Sequence, residues 1–187
     1  PANLNLWRAI CLLGTLLHSI TTPFTDPNFS LTQQLEALSL TSHIAMFLMF
    51  KHGTAFISGQ LYHDLQCMIK NTFFCVAKQR ILDPTAKFYF CQLGDDRLEG
   101  QFGTVRRLIH DRNVDALQLT ERLSAAGQVD ELLWKYPTWD RGHRRLKLQG
   151  SEGVDHVNPA SWIGDVSVLP VNLHSCWYKG RKGAEKA

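Results

Sequence analysis

Cysteine is sparse and irregular in this 187-residue chain: five residues, at 11, 67, 75, 91 and 176. An odd count without regular spacing excludes a disulfide scaffold and predicts reduced thiols in an intracellular protein. No C-x-x-C is present, so His63 with Cys67 and His174 with Cys176 lack a second pair at zinc-finger spacing. No GxxxxGK[ST] phosphate loop and no G-x-S-x-G turn occur, which removes P-loop nucleotide hydrolysis and α/β-hydrolase chemistry. Long apolar runs are missing too. The longest is residues 44–50, against the roughly 18 needed to span a bilayer. Residues 8–20 carry one positive charge ahead of an apolar stretch, but no small-residue cleavage site follows. Their helical spacing predicts a buried helix rather than a signal peptide. No membrane association is expected.

Charge is nearly absent from the first fifty residues, which hold Arg8, Asp26 and Glu36 for a net −1. Residues 51–100 carry +1, residues 101–150 carry +3 and residues 151–187 carry 0, for a total of +3. A segment so poor in charge cannot form a solvated surface. It must pack within the chain, against an upstream part of the same protein, or against a protein partner.

The periodicity is mostly helical. Leu6, Ala9, Ile10, Leu13, Leu16, Leu17 and Ile20 predict a first helix ending at Pro23. Ser30 with Gln33 is a capping-box pattern opening a second helix, with Leu31, Leu35, Leu38, Ile44, Phe47 and Leu48 mostly inward. Gly53 and Gly59 bracket a break. A third helix spans about 60–80, with Leu61, Leu65, Met68, Thr72, Phe73 and Val76 on one face, until Asp83-Pro84 stops it. Residues 87–91, KFYFC, predict a short buried or extended piece. A fourth helix starts at Asp95 or Asp96, with Leu98, Phe102, Val105 and Ile109 forming a buried stripe. A fifth spans about 114–126 and closes at Gly127. A short sixth spans 130–136. Residues 151–176 are rich in Gly, Pro, Asn and Val and predict loops with one or two short strands.

The fold class expected is therefore mainly α with a minor β portion (α+β): a bundle of five to six helices with a short extended C-terminal part. Three regions are expected: a helical region over 1–86, a region around the fourth helix over 87–136, and a basic, loop-rich region over 137–187.

Residues 94–113, GDDRLEGQFGTVRRLIHDRN, admit two readings. In the first, Asp96 caps the helix and Glu99 completes a capping box, both acids favouring the positive end of the helix dipole. Arg106 and Arg107 lie toward the negative end. In the second, the run Gly94–Glu99, Phe102 and Arg106, followed by Asn113 and a further helix, resembles the last catalytic block of P-element-type (THAP-family) DDE transposases. In that family such a helix delivers the final metal-binding carboxylate, and an all-helical insertion precedes it. The match covers 87–123 most closely, while 1–86 match in helical character alone. The tail resembles transposon-associated proteins of mushroom-type fungi.

The resemblance implies an incomplete RNase H-like catalytic domain in a nuclear protein acting on DNA. It makes Glu99 the catalytic carboxylate and Mg²⁺ ligand of an intact enzyme, and Arg106 a supporting or phosphate-contacting residue. Two-metal strand transfer needs carboxylates from three separate elements. Asp26, Asp64 and Asp83 lie in a loop, on a helix and before a proline, so residues 1–86 supply no strand-borne aspartate. This chain alone is expected to be inactive: a fragment or relic, without cofactor. Nucleic-acid contacts are expected from Arg106 and Arg107. They are also expected from Arg141, Arg144, Arg145 and Lys147, which lie near Trp134, Tyr136 and Trp139. A solvated basic loop anchored by tryptophans is the structural alternative. Lys179, Arg181, Lys182 and Lys186 are a phosphate-touching tail or a frayed end. The rival class for the whole chain is a non-enzymatic helical module that binds protein or nucleic acid.

Overall fold

The computed structural model describes residues 2–108, 113–136, 139 and 159–187. Among these it holds six α-helices: α1 (Ala2–Thr25), α2 (Leu31–His52), α3 (Gly59–Leu82), α4 (Asp96–Arg107), α5 (Ala116–Lys135) and α6 (Leu173–Ala184). The mainly α class stands. No strand occurs among the described residues, whose one isolated bridge is an antiparallel pairing of Lys87 with Ser167.

The chain divides into two compact units, one built from 1–93 with 155–187 and one from 94–154. Boundaries at 86 and 136 do not coincide with these units, because the C-terminal segment returns to the first unit instead of forming a region of its own.

In the first unit α2 is the central element. Its apolar positions recur at helical spacing, and Leu31, Leu35, Leu38 and Ile44 are all buried. Leu31, Leu35 and Leu38 pack with Ile69 and Val76 of α3, Phe90, Val168, Val171 and Cys176 in one core cluster, while Ile44 belongs to a second with Leu16 and Ala184. The Ser30–Gln33 capping box is formed, Ser30 Oγ accepting from the Gln33 amide at 3.3 Å and Gln33 Oε1 accepting from the Ser30 amide at 2.9 Å. Gly53 ends α2 at φ 56°, a conformation that favours glycine. Phe47 is turned outward, and the inward face of α3 runs through Gln66, Ile69, Thr72 and Val76. Leu61 and Met68 lie outside it.

Three helical boundaries differ from expectation. Pro23 lies inside α1 and does not end it. In the last turn a missing N–H forfeits a single bond, and the Asp26 amide still reaches Thr22 O at 3.0 Å. Gly127 lies within α5, which runs unbroken to Lys135 and absorbs the expected short sixth helix. Residues 162–172 are loop as expected, without a strand, and the chain then enters α6, which was not expected.

α6 docks on α2 at unusually short range. A Cβ on Gly180 would collide with Ser39 Oγ and fall 2.6 Å from the Leu40 amide nitrogen. Ser39 Oγ donates to the Trp177 carbonyl at 2.8 Å, and the Trp177 ring meets His43 and Phe73 at centroid distances of 4.7 and 5.3 Å. The loop ahead of α6 is held equally closely. Leu31 N–H donates to Asp165 O at 2.8 Å, Ile163 and Gly164 N–H both donate to Pro27 O at 2.9 Å, and Phe88 N–H donates to Val166 O at 2.9 Å. Residues 87–91 are thus an extended piece ending in a 3₁₀ turn, with Phe90 buried as expected.

The second unit pairs α4 with α5. Val105 and Ala126 are buried in it, together with Arg122. Thr104 Oγ1 donates to Asp130 Oδ1 at 3.5 Å.

Candidate functional site

Glu99 is the residue on which the sequence reading turns. α4 begins at Asp96 with Asp95 as its N-cap, and the Asp95 side chain makes no capping bond. The Glu99 amide donates to Asp95 O at 2.8 Å, which places Glu99 past the capping-box position. The expected box between Asp96 and Glu99 is therefore not the geometry of this helix. α2 and α5 show the contrast. Each has a complete box, Ser30 with Gln33 and Asp115 with Gln118. Glu99 is exposed, and no side-chain partner for it is found among the described residues. Its carboxylate near the helix N-terminus retains the dipole contribution and no capping role.

The stripe expected to anchor α4 is only partly inward. Val105 is 1% exposed, but Leu98 is 57% and Phe102 is 45% exposed. Among the described residues of this unit α5 is the one helix beside α4, so the side facing α5 is the one they cover. Ile109, the fourth residue of that stripe, lies outside the described residues.

Phe102, Val105, Arg106, Val114 and Leu119 line an open hollow of about 220 Å³. Arg106 is thus one of the residues lining this hollow. Arg107 is exposed on the next position, its Nε donating to Gly103 O at 3.2 Å. The structure brings Glu99, Arg106 and Arg107 together only as residues of one helix. Arg141, Arg144, Arg145 and Lys147 lie outside the described residues, as does the side chain of Trp134. Tyr136 and Trp139 stack at 4.7 Å with Lys135 Nζ 5.8 Å from the Tyr136 ring.

Three of the four C-terminal bases have acidic partners. Lys179 Nζ bonds Glu36 of α2 at 2.8 Å, and this hydrogen bond, with the attraction of the charge, raises the Lys179 pKa. Arg181 and Lys182 both reach Glu185, at 3.0 and 2.7 Å. These residues are not a frayed end: Lys179, Arg181 and Lys182 lie in α6, and Lys179 ties that helix to α2. Sequence reasoning missed α6, although Asn172 at its N-cap, whose side chain accepts from Ser175 N–H at 2.9 Å, and Arg181 and Lys182 in its last turn were the signals available.

The Mg²⁺ that the transposase resemblance implies finds no donor set here. Among the described residues no three His, Cys, Asp or Glu side chains converge to hold a metal ion. Glu99 belongs to no such group, and one carboxylate is well short of an octahedral oxygen shell. His63 and Cys67 do approach, at 3.6 Å between Nε2 and Sγ, as an exposed i, i+4 pair on α3. No family model, curated protein or solved structure matches the chain. No helix among the described residues is long and apolar enough to cross a membrane.

Proposed function

We propose that this chain is a piece of a DDE-type DNA transposase, joining the helical insertion region to the helix of the last catalytic carboxylate, and that it is inactive by itself. The observation that carries this reading is the freedom of Glu99. It sits in the motif resembling the transposase block, on an exposed turn of α4, and it has no capping bond to account for it. In the intact enzyme Glu99 supplies one Mg²⁺ ligand. Arg106 and Arg107 contact the DNA backbone, joined by Arg141, Arg144, Arg145 and Lys147. The remaining carboxylates belong to RNase H-like strands outside this chain, and the working compartment is the nucleus.

Two experiments test the proposal. The chain incubated with Mg²⁺ or Mn²⁺ and labelled DNA should show no cleavage; cleavage lost in Glu99→Gln would overturn the claim that the site is incomplete. DNA affinity should fall with rising salt, and Arg106→Gln with Arg107→Gln should lower the slope of log K against log[salt] by about one for each phosphate contact removed. Absence of salt-dependent DNA binding would sink the assignment of these arginines.

A further inference from the structure

α1 has two apolar faces, and the described residues cover one of them. Leu16 and Ser19 are buried, with Leu12 packing beside Ile44, Leu48 and Ala184. On the opposite side Leu6, Ile10, Leu13 and Leu17 are 61%, 59%, 50% and 53% exposed, flanked by Trp7 at 62%. A helix apolar on every side is ordinarily enclosed. This stripe has a register: the steps are four, three and four residues. That is a d-a-d-a heptad frame, with Leu6 and Leu13 at d and Ile10 and Leu17 at a.

We infer that this stripe is the seam at which α1 pairs with α1 of a second copy of the chain. Three observations favour a second copy over other occupants. A heptad seam with Leu at d and β-branched Ile at an a position suits a two-stranded pairing of like helices. The positions flanking the seam are Trp7, Ala9, Gly14 and Leu16, so two copies meet without like charges opposed. Arg8, the lone Lys or Arg of α1, lies two residues past Leu6 and on the far side of the helix from the stripe. The area also suffices. With about 100 Å² exposed on each aliphatic side chain and rather more on Trp7, the stripe offers roughly 600 Å² per copy. Two-fold pairing that covers the whole stripe, Trp7 included, buries at most on the order of 1,200 Å² in total, against the roughly 1,000 Å² of a specific interface. The inference does not depend on the transposase reading, since it uses no residue of the second unit.

Light scattering on the full chain after size exclusion gives the test. The expected mass is twice 21.2 kDa. Ile10→Glu with Leu13→Glu should halve it while leaving helical circular dichroism unchanged, because both side chains are outside the folded core. Leu117→Glu, at an exposed position of α5, should leave the mass doubled. A wild-type monomer at about 100 μM, far above the micromolar range of ordinary specific complexes, would overturn the inference. So would a dimer that survives the double substitution. Aggregates without fixed stoichiometry would overturn it too, and a monomer that instead sediments with anionic phospholipid vesicles would assign the stripe to a lipid surface.

Discussion

Gly180 has no room for a methyl group. Ser39 and the backbone at Leu40 occupy the space a Cβ would need, and neither is the far end of a flexible side chain. Gly180→Ala should force α6 away from α2 and cost about 1–3 kcal/mol in denaturant unfolding. Gly127→Ala makes the opposite change. It is helical, and nothing lies within 4 Å of the added carbon, so it should gain up to about 1 kcal/mol. Equal effects at the two sites would mean that helix propensity, not close packing, sets the role of glycine here. The cysteines divide in the same way. Cys176 is buried, and burial followed by the nearby Glu36 charge raises its pKa. Iodoacetamide on native protein should modify exposed Cys11 and Cys67 well before Cys91 and Cys176. Glu99 contrasts with these tightly held residues: with no capping bond to lose, Glu99→Gln should change stability by no more than about 1 kcal/mol. Residue chemistry of this kind was legible where it is local. The Ser30–Gln33 box could be read directly, whereas Gly180 could not, because its meaning lies in Ser39, 141 positions earlier in the chain.

At the scale of elements, the strongest helices were readable and their inward faces less so. α2 and α3 follow from periodicity and caps, yet the face of α3 is rotated toward Gln66 and Ile69, because buried polar pairing competes with apolarity. Ser42 Oγ donates to Gln66 Oε1 at 2.6 Å and Gln66 Nε2 donates to Ser42 O at 2.9 Å, so a glutamine holds a position a leucine was expected to take. α6 was illegible for another reason. Two glycines among its twelve residues lower its propensity, and it is stabilised by what it touches. The extended contact between 83–88 and 165–168 makes a pH prediction. Asp83 and Asp165 cap their own turns, accepting from the Thr85 and Ser167 amides at 2.9 and 3.0 Å. The Thr85 hydroxyl is the largest cause of the lowered Asp83 pKa, and the Ser167 amide that of Asp165. Folded values below the unfolded ones mean that the contribution is fully present above the ordinary carboxylate range. It is lost as pH falls through the depressed folded values. In an NMR titration the Thr85 and Ser167 amide shifts should move with midpoints below 3.8. Midpoints at or above that value would show that these bonds do not persist in solution.

For the whole molecule, the order of segments matters more than their composition. The transposase resemblance implies a helical insertion within a catalytic domain. Here the segment bearing Glu99 is itself placed between two parts of a helical unit, 1–93 and 155–187. Both parts are needed for one core: Leu31, Leu35 and Ile69 come from the first, and Val168, Val171 and Cys176 from the second. A smaller cluster of Cys91, Trp162 and Val166 brings the two strands of chain together next to the junction. Two consequences follow from this closure. Ending the chain before Leu173 removes Trp177 and Cys176 from the core and uncovers α2. Since large core truncations each cost about 3–5 kcal/mol, against a typical domain stability of roughly 5–15, the shortened chain should not unfold cooperatively. Replacing residues 94–154 with a short Gly/Ser linker does the reverse. It removes none of the core, and a shorter connecting loop lowers the entropy of closing the unit only slightly in its favour. That protein should keep its helical circular dichroism and a single sharp thermal transition. If it is instead molten, the second unit supplies more to the first than a connection between its halves, and the autonomy of the helical unit is disproved.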